Sequence, residues 1–157
     1  MTDKNVGKVL ELFISTKESS KRINKSVINL DDFGVIGDKF YNKQINRSVL
    51  ITSTNSYELI KSYDIDMPLG SLGENIFIDY NPYNLPIGTQ LKIGSTLLEI
   101  SQNCTICTHL SAIDKRVPKL IKNDRGIFAK VIKGGEISKE DFVYIVEEYI
   151  KVTSNSK

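Results

Sequence analysis

The residues with the most chemistry to offer are two thiols in the run Ser101-Gln102-Asn103-Cys104-Thr105-Ile106-Cys107-Thr108-His109-Leu110. They are the only cysteines in the chain, and His109 is its only histidine. A thiolate is a soft metal ligand and a good nucleophile. A Cys-x-x-Cys pair admits several uses. A redox dithiol sits at a helix start in a βαβ setting, and the chain shows no such alternation. A structural zinc site needs about four ligands, and His109 is the only further soft or borderline candidate. Two uses remain open: one functional thiol beside a bystander, or two inert buried cysteines.

Other segments offer charge and hydrogen bonds. In Gly34-Val35-Ile36-Gly37-Asp38-Lys39, two glycines free the backbone, Asp38 can order a loop and Lys39 offers a cation. Ordinary turn chemistry accounts for the same residues. Arg47-Ser48 stands at the start of an expected strand, where an arginine can pair with an anion or sit in water. Leu72-Gly73-Glu74-Asn75-Ile76 joins a glycine, which permits close approach, to acceptors and donors suited to a heterocycle. A loop capping a strand is its plainer use. Arg125-Gly126 opens Ile127-Phe128-Ala129-Lys130-Val131, and an arginine there can grip phosphate bidentately or form a surface ion pair.

The elements that must position these residues are short. Apolar patterning predicts strands at 8–15, 26–30, 47–52, 75–79, 126–132 and 141–146. Gly94-Ser95 between 90–93 and 96–100 reads as a two-residue hairpin. Residues 16–25 are polar and basic, a solvated loop, and 31–46 is a long loop of the kind that is often functional. Asn55-Ser56-Tyr57-Glu58 resembles a capping box for a helix ending before Pro68. A second helical stretch carries Leu110, Ile113, Val117, Leu120 and Ile121. Many short strands with a few short helices imply a mostly β fold, a closed or nearly closed antiparallel-rich barrel that removes exposed edges. One domain over 8–148 is expected, with 149–157 as a frayed tail.

Bulk properties narrow the function. The chain has 157 residues, 40% hydrophobic and 25% charged, with a net charge of +2. That balance suits one globular core and gives no case for nucleic acid. The sequence lacks an apolar run long enough for a membrane span and a secretory pattern at Met1-Thr2-Asp3-Lys4, so a cytoplasmic location is expected.

In their order, these segments resemble the MOSC family, the domain found at the C-terminus of molybdenum cofactor sulfurases. The resemblance runs through Gly34–Asp38, Arg47–Ile51, Leu72–Ile76, Leu91-Lys92-Ile93-Gly94, Cys107, Arg125–Val131 and Gly134-Gly135-Glu136-Ile137, roughly residues 8 to 148. It looks like a stand-alone bacterial member. It implies a β-barrel and a single key cysteine, Cys107 rather than Cys104 by its spacing from the Arg-Gly-Ile-Phe-Ala block. In characterised relatives that thiolate binds the molybdenum of a pyranopterin cofactor or is proposed to carry sulfur. The implied activity is two-electron reduction of an N-hydroxylated or related oxo substrate, with Cys107 as metal ligand. The implied cofactor contacts are Asp38, Lys39, Arg47, Ser48, Gly73, Glu74, Asn75, Arg125 and Gly126. A family-level association with pyridoxal phosphate binding comes with the resemblance. The implied partners are a small-molecule substrate or cofactor and an electron-donor or sulfur-donor protein. The alternatives are a sulfur carrier using a Cys107 persulfide and a non-catalytic barrel for an anionic ligand. Two departures stand out: Lys39 where many relatives carry histidine, and Glu140-Asp141 where Gly-Asp usually precedes the last strand.

Overall fold

The computed structural model describes residues 3–16, 22–105 and 110–147. Among these residues, eleven strands run in the order β1 (Asp3–Ser15), β2 (Arg22–Lys25), β3 (Val27–Asp31), β4 (Gly34–Val35), β5 (Val49–Ser53), β6 (Ile76–Ile78), β7 (Gln90–Ile93), β8 (Thr96–Asn103), β9 (Ile127–Lys133), β10 (Gly135–Ser138) and β11 (Phe142–Val146). Two short helices interrupt them, α1 (Thr54–Lys61) and α2 (Val117–Leu120).

Seven strands close a barrel in the order β11-β7-β8-β9-β5-β6-β1, because β1 also pairs with β11. The long β1 makes closure possible. Its first half pairs with β11, from Asp3 opposite Val146 to Lys8 opposite Phe142, and its second half pairs with β6 and β2. Register shifts between Asn5 and Gly7 and between Val9 and Glu11 bend it round the corner. A smaller sheet, β10-β3-β4, sends Ile28, Leu30, Val35 and Ile137 into the barrel core.

Alternation fills the barrel. Val49 and Ile51 of β5 meet Ile127 and Ala129 of β9 inside, with Leu91, Ile93, Leu98 and Ile100 from the β7–β8 hairpin. Each such aliphatic side chain contributes about 1.5–3 kcal/mol on burial. The neighbours one residue along, Leu50 and Phe128, point to the outer face and form a separate small cluster with Cys104. A third cluster joins α1 to α2 through Ile60, Leu72, Leu110, Val117 and Ile121.

Several expectations are corrected. Residues 22–25 form an edge strand on β1, not a loop; its mixed polar faces carry no period-two signal. The long loop at 31–46 contains the two-residue β4. Ser53, not Asn55, caps α1, its Oγ accepting from the Asn55 N–H, because β5 runs directly into the helix. β5 and β6 are parallel, joined across α1, whereas the other barrel pairings are antiparallel. Among the described residues no helix is long and apolar enough to cross a membrane.

Glu140 stands at φ 76°, in the left-handed region. A side chain there costs about 1–2 kcal/mol. Its carboxylate meets Lys8 Nζ at 3.1 Å, but both groups are exposed and such pairs contribute little. Glu140→Gly should therefore raise stability by about 1 kcal/mol in urea unfolding, net of the glycine's chain entropy. A loss would show that the Lys8 pair outweighs the backbone strain.

Candidate functional site

Outside the barrel wall, over β5 and β9, lies a cavity of about 330 Å³. That size is within the range of small-ligand sites. Its floor is the outward cluster of Leu50, Phe128 and Cys104. Its walls come from distant segments: Arg22 of β2, Phe40, Lys43 and Gln44 of the long loop, Arg47 and Ser48 before β5, Leu72, Gly73 and Asn75 before β6, and Arg125 before β9.

Arg22, Arg47, Asn75 and Arg125, far apart in sequence, all line this one cavity. Each arginine has its own support. Arg125 is 4% exposed, and its Nη1 donates to the Leu72 carbonyl at 2.6 Å. Arg47 belongs to a single 3-10 turn, Ile45–Arg47, rather than to the strand, and its guanidinium lies 4.7 Å from the Phe128 ring centroid. Its Nε is buried without a hydrogen-bond partner. An orphaned buried donor on a cavity wall suits an acceptor on a ligand. Arg22 Nη1 lies 3.6 Å from Asp38 Oδ1 and 3.5 Å from the Glu74 carbonyl oxygen. Burial lowers the Arg22 pKa; Asp38 and Glu74 pull it back up, and Arg125 pushes it down.

Other expected contacts fall behind the wall. Asp38 is buried and spends its carboxylate on the Ser15 N–H (2.7 Å), the Phe40 N–H (3.2 Å) and Arg22. The Lys39 ammonium lies over the Phe40 ring, 5.1 Å from its centroid, and is not part of the wall. Glu74 is fully buried, accepting at Oε2 from Thr52 Oγ1 (2.7 Å) and Tyr57 OH (2.5 Å), while its Oε1 has no partner. Gly126 shapes the floor from below: at φ 145° a Cβ would come within 2.9 Å of Leu50 Cδ1. Asn75 reaches the wall, but its amide also ties strands together, accepting from the Leu50 N–H and donating to the Phe13 carbonyl. Ser48 lines the cavity and donates to the Ile45 carbonyl.

Cys107 and His109 lie outside the described residues. Cys104 is a free, buried thiol on the floor, 4% exposed, and its N–H donates to the Gly126 carbonyl. Among the described residues no group of three His, Cys, Asp or Glu side chains is placed to hold a metal ion. Among the lining residues that motif reading did not single out are Arg22, Phe40, Lys43, Gln44 and Cys104. The sequence assigns no role to Cys104, and Arg22 sits in a polar edge strand with no motif to mark it.

A sequence profile of the MOSC domain matches residues 37–144, more than half of the chain. The chain belongs to the MOSC domain family. The family is associated with molybdenum-cofactor-related function. No curated protein matches the sequence. Among solved structures, YuaD of Bacillus subtilis is similar at a TM-score of 0.77 and 15% identity, covering 92% of this chain and 98% of that one. YiiM of Escherichia coli is similar at a TM-score of 0.66 and 18% identity, covering 88% and 69%. YiiM of Geobacillus stearothermophilus gives 0.65 and 14%, covering 92% and 75%. At such identities these likenesses speak to the fold alone. In the MOSC frame, the Leu-Gly-Glu-Asn-Ile segment supplies two kinds of residue. Leu72, Gly73 and Asn75 face the cavity, and Glu74 anchors the segment to α1 through Tyr57.

That anchor gives a pH signature. Burial, and next the Glu74 charge, push the Tyr57 pKa far above its usual value of about 10. The stabilisation is complete below the unfolded-state pKa and is lost as pH rises above it, because the unfolded tyrosine ionises first. Tyr57→Phe should cost about 1–3 kcal/mol at pH 7 by leaving Glu74 Oε2 short of a donor. It should also flatten the decline in stability above about pH 10, read by urea unfolding across pH. An unchanged slope would contradict the anchor.

Proposed function

We propose that this MOSC domain binds an anionic pyranopterin molybdenum cofactor in the arginine-walled cavity, with Cys107 as the metal's protein ligand. The observation that carries this is the meeting of Arg22, Arg47 and Arg125, far apart in sequence, on one cavity of ligand size. The donor set fits the group. Guanidiniums match phosphate oxygens, the orphaned Arg47 Nε seeks an acceptor, and Gly73 leaves room beside Arg22. Asn75 and the Gly73 backbone line the same cavity and offer the kind of amide groups that suit a heterocycle's polar edge.

When bound, the cofactor supplies two-electron redox chemistry of the kind that reduces an N–O or related oxo bond. This chain's residues bind and orient it. Arg22, Arg47 and Arg125 neutralise its charge, while Leu50, Leu72 and Phe128 keep water from the apolar side of the cavity. A partner protein delivers the reducing equivalents.

The test is expression in a host that makes the cofactor, followed by molybdenum analysis and fluorescence of the oxidised pterin. Wild type should carry equimolar metal and pterin. Cys107→Ser should lose molybdenum, since a serine oxygen is a harder and less acidic ligand. Cys104→Ser should largely keep it. Thermal midpoints of both variants serve as folding controls, because Cys104 packs against Leu50 and Phe128. Equal losses at matched stability would favour a dithiol. Retention in both would remove Cys107 as the ligand.

A further inference from the structure

Exposed apolar side chains are concentrated on the long loop between β3 and β5. Among the described residues ten large apolar side chains are exposed, and four of them, Phe33, Ile36, Phe40 and Ile45, belong to this loop, each between 44% and 50% exposed. The loop holds them out with its own hydrogen bonds. Asp31 accepts from the Phe33 N–H and the Tyr41 hydroxyl, and the Asn42 N–H donates to the Phe33 carbonyl. The Phe33 and Tyr41 rings meet edge to face, 6.3 Å between centroids. Asp38 accepts from the Ser15 and Phe40 N–H groups, which fastens the loop to the end of β1. Both carboxylates are thus turned to donors of the protein, and Asp32 is the loop's one exposed acid. Two cations stand among the apolar groups. The Lys39 ammonium lies over the Phe40 ring, and Lys43 is exposed at the cavity rim beside Phe40.

We infer that this loop docks the protein on an anionic lipid surface, with Phe33, Ile36, Phe40 and Ile45 dipping into the headgroup region and Lys39 and Lys43 at the level of the lipid phosphates. The composition of the loop selects this occupant. The cores of protein interfaces are depleted in lysine and enriched in arginine, methionine and tryptophan. A lysine beside Phe and Ile suits a bilayer surface, its stem among the apolar groups and its ammonium among the headgroups. A second copy of this chain, packed loop to loop, would set these lysines against their equals. The internal hydrogen bonds order the loop before it docks, so little chain entropy is lost. Docking would bring the cavity mouth, which Phe40, Lys43 and Gln44 help to form, against the membrane. The inference depends on neither the pterin nor the metal.

The experiment sediments the full chain with vesicles of phosphatidylglycerol and phosphatidylcholine in equal parts, and with vesicles of phosphatidylcholine alone. Wild type should bind the anionic vesicles at least about tenfold more tightly than the neutral ones, and should be released as salt rises. The double change Phe33→Ser, Ile36→Ser should weaken binding by about tenfold or more with the thermal midpoint kept, because both side chains are already exposed. Lys39→Gln with Lys43→Gln should weaken it roughly tenfold to thirtyfold, on the anionic vesicles only. Phe142→Ser, which removes an exposed ring on β11, should change nothing. The chain has no tryptophan, so Phe33→Trp reports insertion. Its emission should shift to the blue on anionic vesicles, and that of Phe142→Trp should not. No vesicle binding by wild type, or wild-type binding by the Phe33→Ser, Ile36→Ser chain, overturns the docking surface. Binding without a blue shift in Phe33→Trp overturns insertion of the loop. No vesicle binding together with lysine-dependent binding to an acidic flavodoxin overturns the lipid reading and assigns the loop to an acidic protein.

Discussion

Placing three guanidiniums around one partly buried cavity is the constraint on which the rest of this site depends. Like charges brought together and stripped of water repel each other and lose hydration. The fold offsets this with a fixed partner for each. Asp38 and the Glu74 carbonyl back Arg22, the Leu72 carbonyl receives Arg125, and the Phe128 ring lies under Arg47. Among the described residues, the Arg47 Nε is left as a buried donor without a hydrogen-bond partner. A neutral apolar ligand would leave that donor unmet.

The barrel makes this arrangement possible by separating two jobs. Its interior is filled with aliphatic side chains and serves stability. The site is built on the outer face of the same wall, where alternation turns Leu50 and Phe128 away from the core. β5 shows the consequence: all five of its residues are buried, one set inside the barrel and the other beneath the cavity and its covering segments. Buried polar residues concentrate in those segments. Thr52, Glu74 and Tyr57 form one linked group, and Ser56 with Tyr83 another, so hydrogen bonds fix the covering layer alongside its apolar cluster of Ile60, Leu72, Leu110, Val117 and Ile121.

Much of this was legible in the sequence. The strands at 47–52, 75–79, 90–100, 126–132 and 141–146 show clear apolar patterning, and closure follows from many short strands needing covered edges. Arg47, Asn75 and Arg125 were legible as a group only because their motifs recur in order in one family. Other features had no signal. Arg22 lies in an edge strand whose partner supplies all the pairing, so its side chains carry no period. The parallel β5–β6 pair depends on a crossover through α1 that local patterning does not specify. Asp38 and Glu74 read as ligand-facing polar residues, yet each is turned inward, because buried N–H and O–H donors of neighbouring segments claim their oxygens first.

The central claim is that the arginine cavity, and not the barrel interior or another face, holds an anionic pterin. A crystal structure of the full chain purified from a host that makes the molybdenum cofactor tests it most directly. The account predicts density for the pterin over Leu50 and Phe128, its phosphate contacted by Arg22 and Arg125, and a molybdenum anomalous peak beside Cys107. A pterin bound elsewhere, or an empty cavity in protein that carries stoichiometric molybdenum, would contradict it.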